Sequence, residues 1–261
     1  EITSLYPDFG GLLEESYLLK ILRGEPGCTF WESFRLPFRE TANLISALLE
    51  IQKCPINAEG KKTRPVAFET GCLEEVCGSC SMLVNGRPRQ ACAALIRPIL
   101  EDTGCSEIRI APLTKFPLVR DLIVDRSSMF ENLKKIHAWV TPSSQEGLGA
   151  PISQEKQELL YSLSSCMTCG CCVEGCPEMH TASAFMGPAI VAQARLFLEH
   201  PATVDETTFR KEMMLQNGGV SGCGKSLNCG ELCPKKIPLV DSIAAVNGIV
   251  TKYVFSRFTQ I

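Results

Sequence analysis

The chain lacks the marks of a self-sufficient catalyst, a membrane span or a nucleic-acid binder. It carries only 3 histidines, His137, His180 and His200. None sits beside a Ser or Cys in a nucleophile–base pattern, so each reads as a packed or exposed side chain. A glycine-rich dinucleotide fingerprint and a phosphate loop are both missing. No apolar run approaches the roughly 18 residues of a membrane span. The richest stretch, Pro188 to Leu198, is broken by Gln193 and Arg195. Charge of one sign is missing too: 26 Lys and Arg face 29 Asp and Glu, a net −3. That supplies no surface for a polyanion, and no nucleic-acid partner is expected. Glu1 to Gly11 lack the basic-then-apolar order of a signal peptide. With 45% hydrophobic and 21% charged residues in 261, the chain suits one large or two ordinary packed domains, not a disordered segment.

What is abundant is cysteine. There are 15, an odd number that leaves at least one thiol unpaired under any all-disulfide scheme. Eleven fall into three tight groups, while Cys28, Cys54, Cys105 and Cys171 stand outside them. Clustered thiols without an export signal point to metal, and to a reducing compartment that keeps them free.

The pattern of apolar residues divides the chain. Up to about Asp125 it reads as mixed strand and helix. Tyr17–Arg23 and Thr29–Phe38 are strands paired through a turn at Gly24–Gly27. Asn43–Gln52 is a helix capped by Thr41 or Asn43. Pro65–Phe68, Ser81–Val84, Gln90–Ala94 and Ile108–Ile110 are further strands, with Asn85-Gly86 as a hairpin turn. Beyond Asp125, helices are expected over Ser128–Trp139, Ser153–Ser164, Gly187–Glu199, Glu206–Asn217 and Pro238–Val254, the last with Pro238 in its first turn. Thr141–Pro151 reads as a loop. The expectation is an α+β domain over 1–125, an all-helical domain over 126–261, and Pro112–Arg126 joining them.

The first cysteine group is Cys72, Cys77, Cys80 and Cys92. Its C-x4-C-x2-C spacing with a later Cys is that of a plant-type [2Fe–2S] ferredoxin loop. Two thiolates are needed per iron; three come from one irregular loop and one from an adjacent strand. Gly71 and Gly78 leave room for backbone N–H groups to face the sulfurs. A four-cysteine zinc site is the alternative, although such sites favour two short Cys pairs.

The second group is Cys166, Cys169, Cys172 and Cys176, followed by Pro177: the full C-x2-C-x2-C-x3-C-P run of bacterial-type ferredoxins. Cys171 lies inside the run but off its pattern, and is read as a non-ligand. The third group is Cys223, Cys229 and Cys233, then Pro234, the same run with Ser226 at the second cysteine position. In two-cluster ferredoxins the fourth cysteine of each run serves the other cluster. Cys233 therefore completes a [4Fe–4S] set with Cys166, Cys169 and Cys172. Cys176, Cys223 and Cys229 leave one iron corner without a thiolate, and the expected product is [3Fe–4S]. The alternative is a [4Fe–4S] cluster with serine or water at that corner. Three clusters without an acid, base or nucleophile of recognisable geometry make a wire between a donor and an acceptor subunit.

These residues carry a resemblance. Glu69–Cys92 (ETGCLEEVCGSCSMLVNGRPRQAC), Phe116–Phe130, Cys166–Pro177 (CMTCGCCVEGCP), Phe185–Ala189 (FMGPA) and Cys223–Leu239 (CGKSLNCGELCPKKIPL) resemble the iron–sulfur subunits of succinate dehydrogenase and fumarate reductase. The wording is nearer the Gram-positive branch. The resemblance spans nearly the whole chain. It implies a β-grasp [2Fe–2S] domain and a helical two-cluster domain, in a non-catalytic subunit of succinate:quinone oxidoreductase. It further implies two partners: a flavoprotein subunit with FAD, and a membrane anchor holding quinone and often haem. The subunit would then lie peripherally on the cytoplasmic face of a bacterial cell membrane. Electrons would pass from FAD through [2Fe–2S], [4Fe–4S] and [3Fe–4S] to quinone or haem. The same wire serves fumarate reduction. A soluble multi-cluster ferredoxin is the alternative reading, and a stable co-purifying flavoprotein separates the two.

The chain departs from that family at two places. Many members have Arg and Gly in the first loop where Leu73 and Glu75 stand here. Ubiquinone-binding members often carry a Trp and a His where this chain has His180, Thr181 and Gly224. The surface around Cys176 and Cys223, including Pro177, Glu178, Met179, His180 and Gly224, is therefore expected to make protein contacts with the anchor.

Overall fold

Alternation decides the first element. In the computed structural model, which describes residues 16–140 and 151–259, strand β1 (Ser16–Glu25) turns Tyr17, Leu19, Ile21 and Arg23 to the interior. A period of two places all four on one face. β1 pairs antiparallel with β2 (Cys28–Pro37), as the hairpin pattern predicts. On its other side β1 runs parallel to β5 (Glu107–Ala111). β3 (Ser81–Val84) and β4 (Arg87–Gln90) complete a mixed sheet of order β2-β1-β5-β3-β4. Helix α1 (Leu44–Lys53) begins at Asn43, whose side chain accepts from Ser46 N–H while the Ser46 hydroxyl accepts from Asn43 N–H. Leu44, Ile45, Leu48 and Ile51 of α1 share one core with Leu19, Ile21, Phe34, Ile108 and Ile110 of the sheet. α2 (Ile96–Thr103) adds Ile96 and Ile99, and a small ribbon, β6 (Leu118–Arg120) and β7 (Ile123–Val124), ends the unit. A sheet holding one helix is the expected ferredoxin-like architecture.

Three details differ from expectation. Pro65–Phe68 is not a strand, because side chains and the single backbone N–H of Leu122 take its backbone groups. Arg64 and Pro65 carbonyls accept from Arg23, Val66 carbonyl from Gln52, and Ala67 N–H donates to Asp121. The strand after Asn85-Gly86 is Arg87–Gln90 rather than Gln90–Ala94. Asn85 and Gly86 both take positive φ, 49° and 80°, and such a two-residue turn pairs Val84 with Arg87 at once. Pro88 is tolerated because β4 is an edge strand. Cys92 consequently sits in the turn after β4, not on a strand.

The chain divides into two compact units, Glu1–Asp125 and Arg126–Ile261. Among the described residues the second is built of helices: α3 (Ser127–Lys135), α4 (Gln154–Ser164), α5 (Cys171–Glu174), α6 (Pro188–Glu199), α7 (Thr207–Leu215), α8 (Asn228–Leu232) and α9 (Leu239–Phe258). α3 stops four residues short of Trp139, since His137 takes φ 50°. Pro238 is the residue just before α9 rather than inside its first turn. Ile190, Val191 and Ala194 of α6, Met214 of α7 and Val246 and Val250 of α9 form the core. Arg210, fully buried, ties that core to the end of α3 by donating to the carbonyls of His137, Trp139 and Thr203 and to Glu206. Most of the expected loop Thr141–Pro151 lies outside the described residues. No helix among the described residues is long and apolar enough to cross a membrane.

Candidate metal centres

All fifteen cysteines are free thiols, which leaves the three groups open to metal. In the first, Leu73 and Glu75 take φ 62° and 54°, so the loop from Cys72 to Cys77 curls back over its own sulfurs. Glu74, Val76 and Cys77 N–H groups donate to Cys72 Sγ at 3.4, 3.2 and 3.2 Å, and Cys72 N–H donates to Cys77 Sγ at 3.5 Å. Gly71 sits close beside this loop: a Cβ on it would stand 3.2 Å from Cys77 Sγ. The N–H of Cys72, the Ser79 hydroxyl and the Ser79 N–H bring the Cys77 thiol down to about 6. Cys80 behaves oppositely: burial and the neighbouring Cys92 push it up to about 11. The loop thus presents two pairs, Cys72 with Cys77 at the surface and Cys80 with Cys92 inside. A two-iron rhomb needs such a division.

In the helical unit, Cys166, Cys169, Cys172 and Cys233 line one small cavity of about 20 Å³, walled by Met129, Ala189, Ile237 and Leu239. Cysteines sixty-one residues apart are thereby brought together, Cys233 joining the first three of the earlier run. Cys176, which lies in that run, is not part of the cavity. Cys176 feels the charge of Cys223, and Cys229 feels both Cys176 and Cys223 while also acting on Cys172. Desolvation raises Cys172, Cys176, Cys229 and Cys233, and raises Cys166 to about 11. Buried thiols of this kind deprotonate readily only on binding metal. Ser226 lies exposed on the loop between Cys223 and α8, with Lys225 and Leu227 on either side at φ 59° and 66°.

Four all-sulfur ligands in apolar walls, with N–H donors on the sulfurs, fit iron–sulfur clusters. Among the described residues no group of three or more His, Cys, Asp or Glu is arranged to hold a metal ion. A lone zinc would need its four ligands converged on one point, whereas a cluster spreads them over its corners.

Two residues near these thiols have contacts that the spacing did not foretell. Cys171, read as a non-ligand, is fully buried at the start of α5. Its thiol bonds Cys169, the largest influence bringing Cys169 down to about 7, with the Arg126 charge adding to it. Adjacency in sequence to a ligand carried no hint of this. The other is Glu178, whose carboxylate lies directly over Gly224.

Comparison with known proteins finds both cluster-binding domains in the chain. Residues 18–131 match the family described as a 2Fe-2S iron-sulfur cluster binding domain, and residues 162–237 the 4Fe-4S dicluster domain. The succinate dehydrogenase iron-sulfur subunit of Bacillus subtilis is 46% identical over 229 residues, 87% of this chain and 88% of that protein. The chain belongs to the iron–sulfur subunit family of succinate dehydrogenase and fumarate reductase. A fumarate reductase iron-sulfur subunit of Wolinella succinogenes is 31% identical over 68% of this chain and 74% of its own length. A solved chain described as the Mycobacterium smegmatis Sdh1 complex in the apo form shares the fold, with TM-score 0.79 and 24% identity over 92% of this chain and 97% of its own.

Proposed function

We propose that this subunit is the electron wire of a succinate:quinone oxidoreductase. Cys72, Cys77, Cys80 and Cys92 hold a [2Fe–2S] cluster. Cys166, Cys169, Cys172 and Cys233 hold a [4Fe–4S] cluster, and Cys176, Cys223 and Cys229 hold a [3Fe–4S] cluster. The observation that carries the crossed assignment is the shared cavity of Cys233 with Cys166, Cys169 and Cys172. Cys176 is left to pair with Cys223 and Cys229.

Electrons enter from the FAD of a flavoprotein subunit, where succinate is oxidised, and leave to quinone or haem in an integral membrane anchor. The subunit itself contributes no reacting group. It sits peripherally on the cytoplasmic face of the cell membrane, held by that anchor. Clusters supply one-electron transfer when bound; the chain positions them, excludes water and sets their potentials through N–H donors and nearby charge. The family likeness to a fumarate reductase subunit supports the reverse direction on the same wire, with the flavoprotein deciding which way electrons run.

The test is purification of the complex from membranes. Iron analysis should give about nine irons per chain, two, four and three. Electron paramagnetic resonance should show three distinct centres, with a flavoprotein and a membrane subunit co-purifying. Zinc in place of any cluster, or a chain that purifies alone, would sink the proposal.

A further inference from the structure

A side chain at position 224 would displace a charged group. A Cβ built on Gly224 would stand 2.0 Å from Glu178 Oε1 and 2.8 Å from its Cδ. The Glu178 carboxylate therefore fills the space beside Gly224 that a larger residue would claim. Both residues flank thiols of the third cysteine set: Glu178 follows Cys176 by two positions, and Gly224 follows Cys223. The carboxylate also lies near enough to Cys176 to act on its thiol by charge. It is half-buried, so solvent screens it less than a surface charge, and it forms no ion pair within 4.0 Å among the described residues. On the opposite side of the account stand fixed donors: Glu178 and Met179 N–H to Cys176, and Lys225 N–H to Cys223 Sγ at 3.4 Å.

We infer that Glu178 is a potential-setting residue, lowering the reduction potential of the cluster held by Cys176, Cys223 and Cys229, and that Gly224 exists to seat its carboxylate. The inference rests on the ligation proposed above. A negative charge beside a cluster disfavours the reduced, more negative state, while N–H donors favour it. Glu178 opposes those donors at Cys176.

The test is a redox titration of the purified complex, followed by electron paramagnetic resonance, for wild type, Glu178→Gln, Glu178→Asp and Gly224→Ala. In Glu178→Gln the midpoint of the third centre should rise, by about tenfold in its reduction equilibrium, or 59 mV for one electron. Glu178→Asp, which keeps the charge, should stay closer to wild type than the Gln variant. Gly224→Ala, which forces the carboxylate aside, should shift the midpoint in the same direction as Gln. The [2Fe–2S] midpoint in the same samples should not move. An unmoved third midpoint in Glu178→Gln overturns the inference, and so does an equal shift of all centres. If the Gln variant fails to assemble the third centre, an unmoved midpoint in Gly224→Ala overturns it. The wild-type spectrum judges the ligation separately. A third centre that is not three-iron sinks the cluster assignment, while the effect of the Gln substitution on that centre's midpoint still decides Glu178.

Discussion

Arg23 and Asp121, ninety-eight positions apart, form an ion pair at 3.2 Å with side chains 5% and 3% exposed. Arg23 is the fourth inward residue of β1, where the alternation that buries Tyr17, Leu19 and Ile21 carries a cation into the core. Its guanidinium is satisfied by Glu32 at 2.6 Å, by Asp121 and by the carbonyls of Arg64 and Pro65. Asp121 also accepts from Gly24 N–H at 2.9 Å and Ala67 N–H at 2.8 Å. One carboxylate thus pins the β6–β7 turn to the β1–β2 hairpin and to the segment leading into the first cysteine loop.

Removing it should be costly. Breaking a buried pair from one side leaves an uncompensated charge, with typical losses of about 3–5 kcal/mol. Asp121→Ala is expected near that range in denaturant unfolding. A loss below about 1 kcal/mol would show that water or Glu32 replaces Asp121 fully.

The same group predicts an acid dependence. Burial acts to raise the Asp121 carboxyl, but the N–H groups of Ala67 and Gly24 and the Arg23 guanidinium outweigh it and hold it below the ordinary value of 3.8. A depressed carboxyl adds stability that is fully present above its unfolded value and is lost as pH falls through the folded one. Wild type should therefore lose stability on acidification below about pH 4, and Asp121→Asn should lose less over the same interval. Parallel acid profiles for the two proteins would refute this.

Glu75 occupies a left-handed conformation that glycine adopts without steric cost. Glu75→Gly should stabilise the first cysteine loop by up to about 1 kcal/mol. Slower loss of the [2Fe–2S] absorbance in the presence of a chelator would register it. Faster loss would mean that the Glu75 side chain contributes something to the loop that its strain conceals.

Cys171 provides a test of fine tuning. Cys171→Ala removes the hydrogen bond to Cys169 without touching a proposed ligand. The [4Fe–4S] cluster should still assemble, with a potential lowered by less than tenfold in its reduction equilibrium. Failure of that cluster to form would make Cys171 a ligand after all.

Ser226→Cys restores the full bacterial run. The third centre should convert, at least in part, from [3Fe–4S] to [4Fe–4S], its potential should fall, and quinone reduction should slow. An unchanged three-iron spectrum in that variant would place Ser226 away from the open corner.

Spacing along the chain alone pointed to iron–sulfur chemistry and to the family. Ligand runs such as Cys166 to Pro177 are read directly because a cluster draws most of its thiolates from one short loop. The β1–β2 hairpin, α1 with Asn43 as one of two candidate caps and the helix expected over Gly187–Glu199 were equally legible, since alternation and capping act over a few residues. Tertiary structure decided what lies beyond that reach. Pro65–Phe68 forgoes a strand because Asp121, Arg23 and Gln52, from distant parts of the chain, take its backbone groups. A two-residue turn, not the apolar pattern, set where β4 begins. Glu178 meets Gly224 only because two separate cysteine runs fold against each other. Candidate ligand runs are a local property of sequence, whereas how the runs share their thiols, and the charges and donors around them, come from whatever the fold packs together.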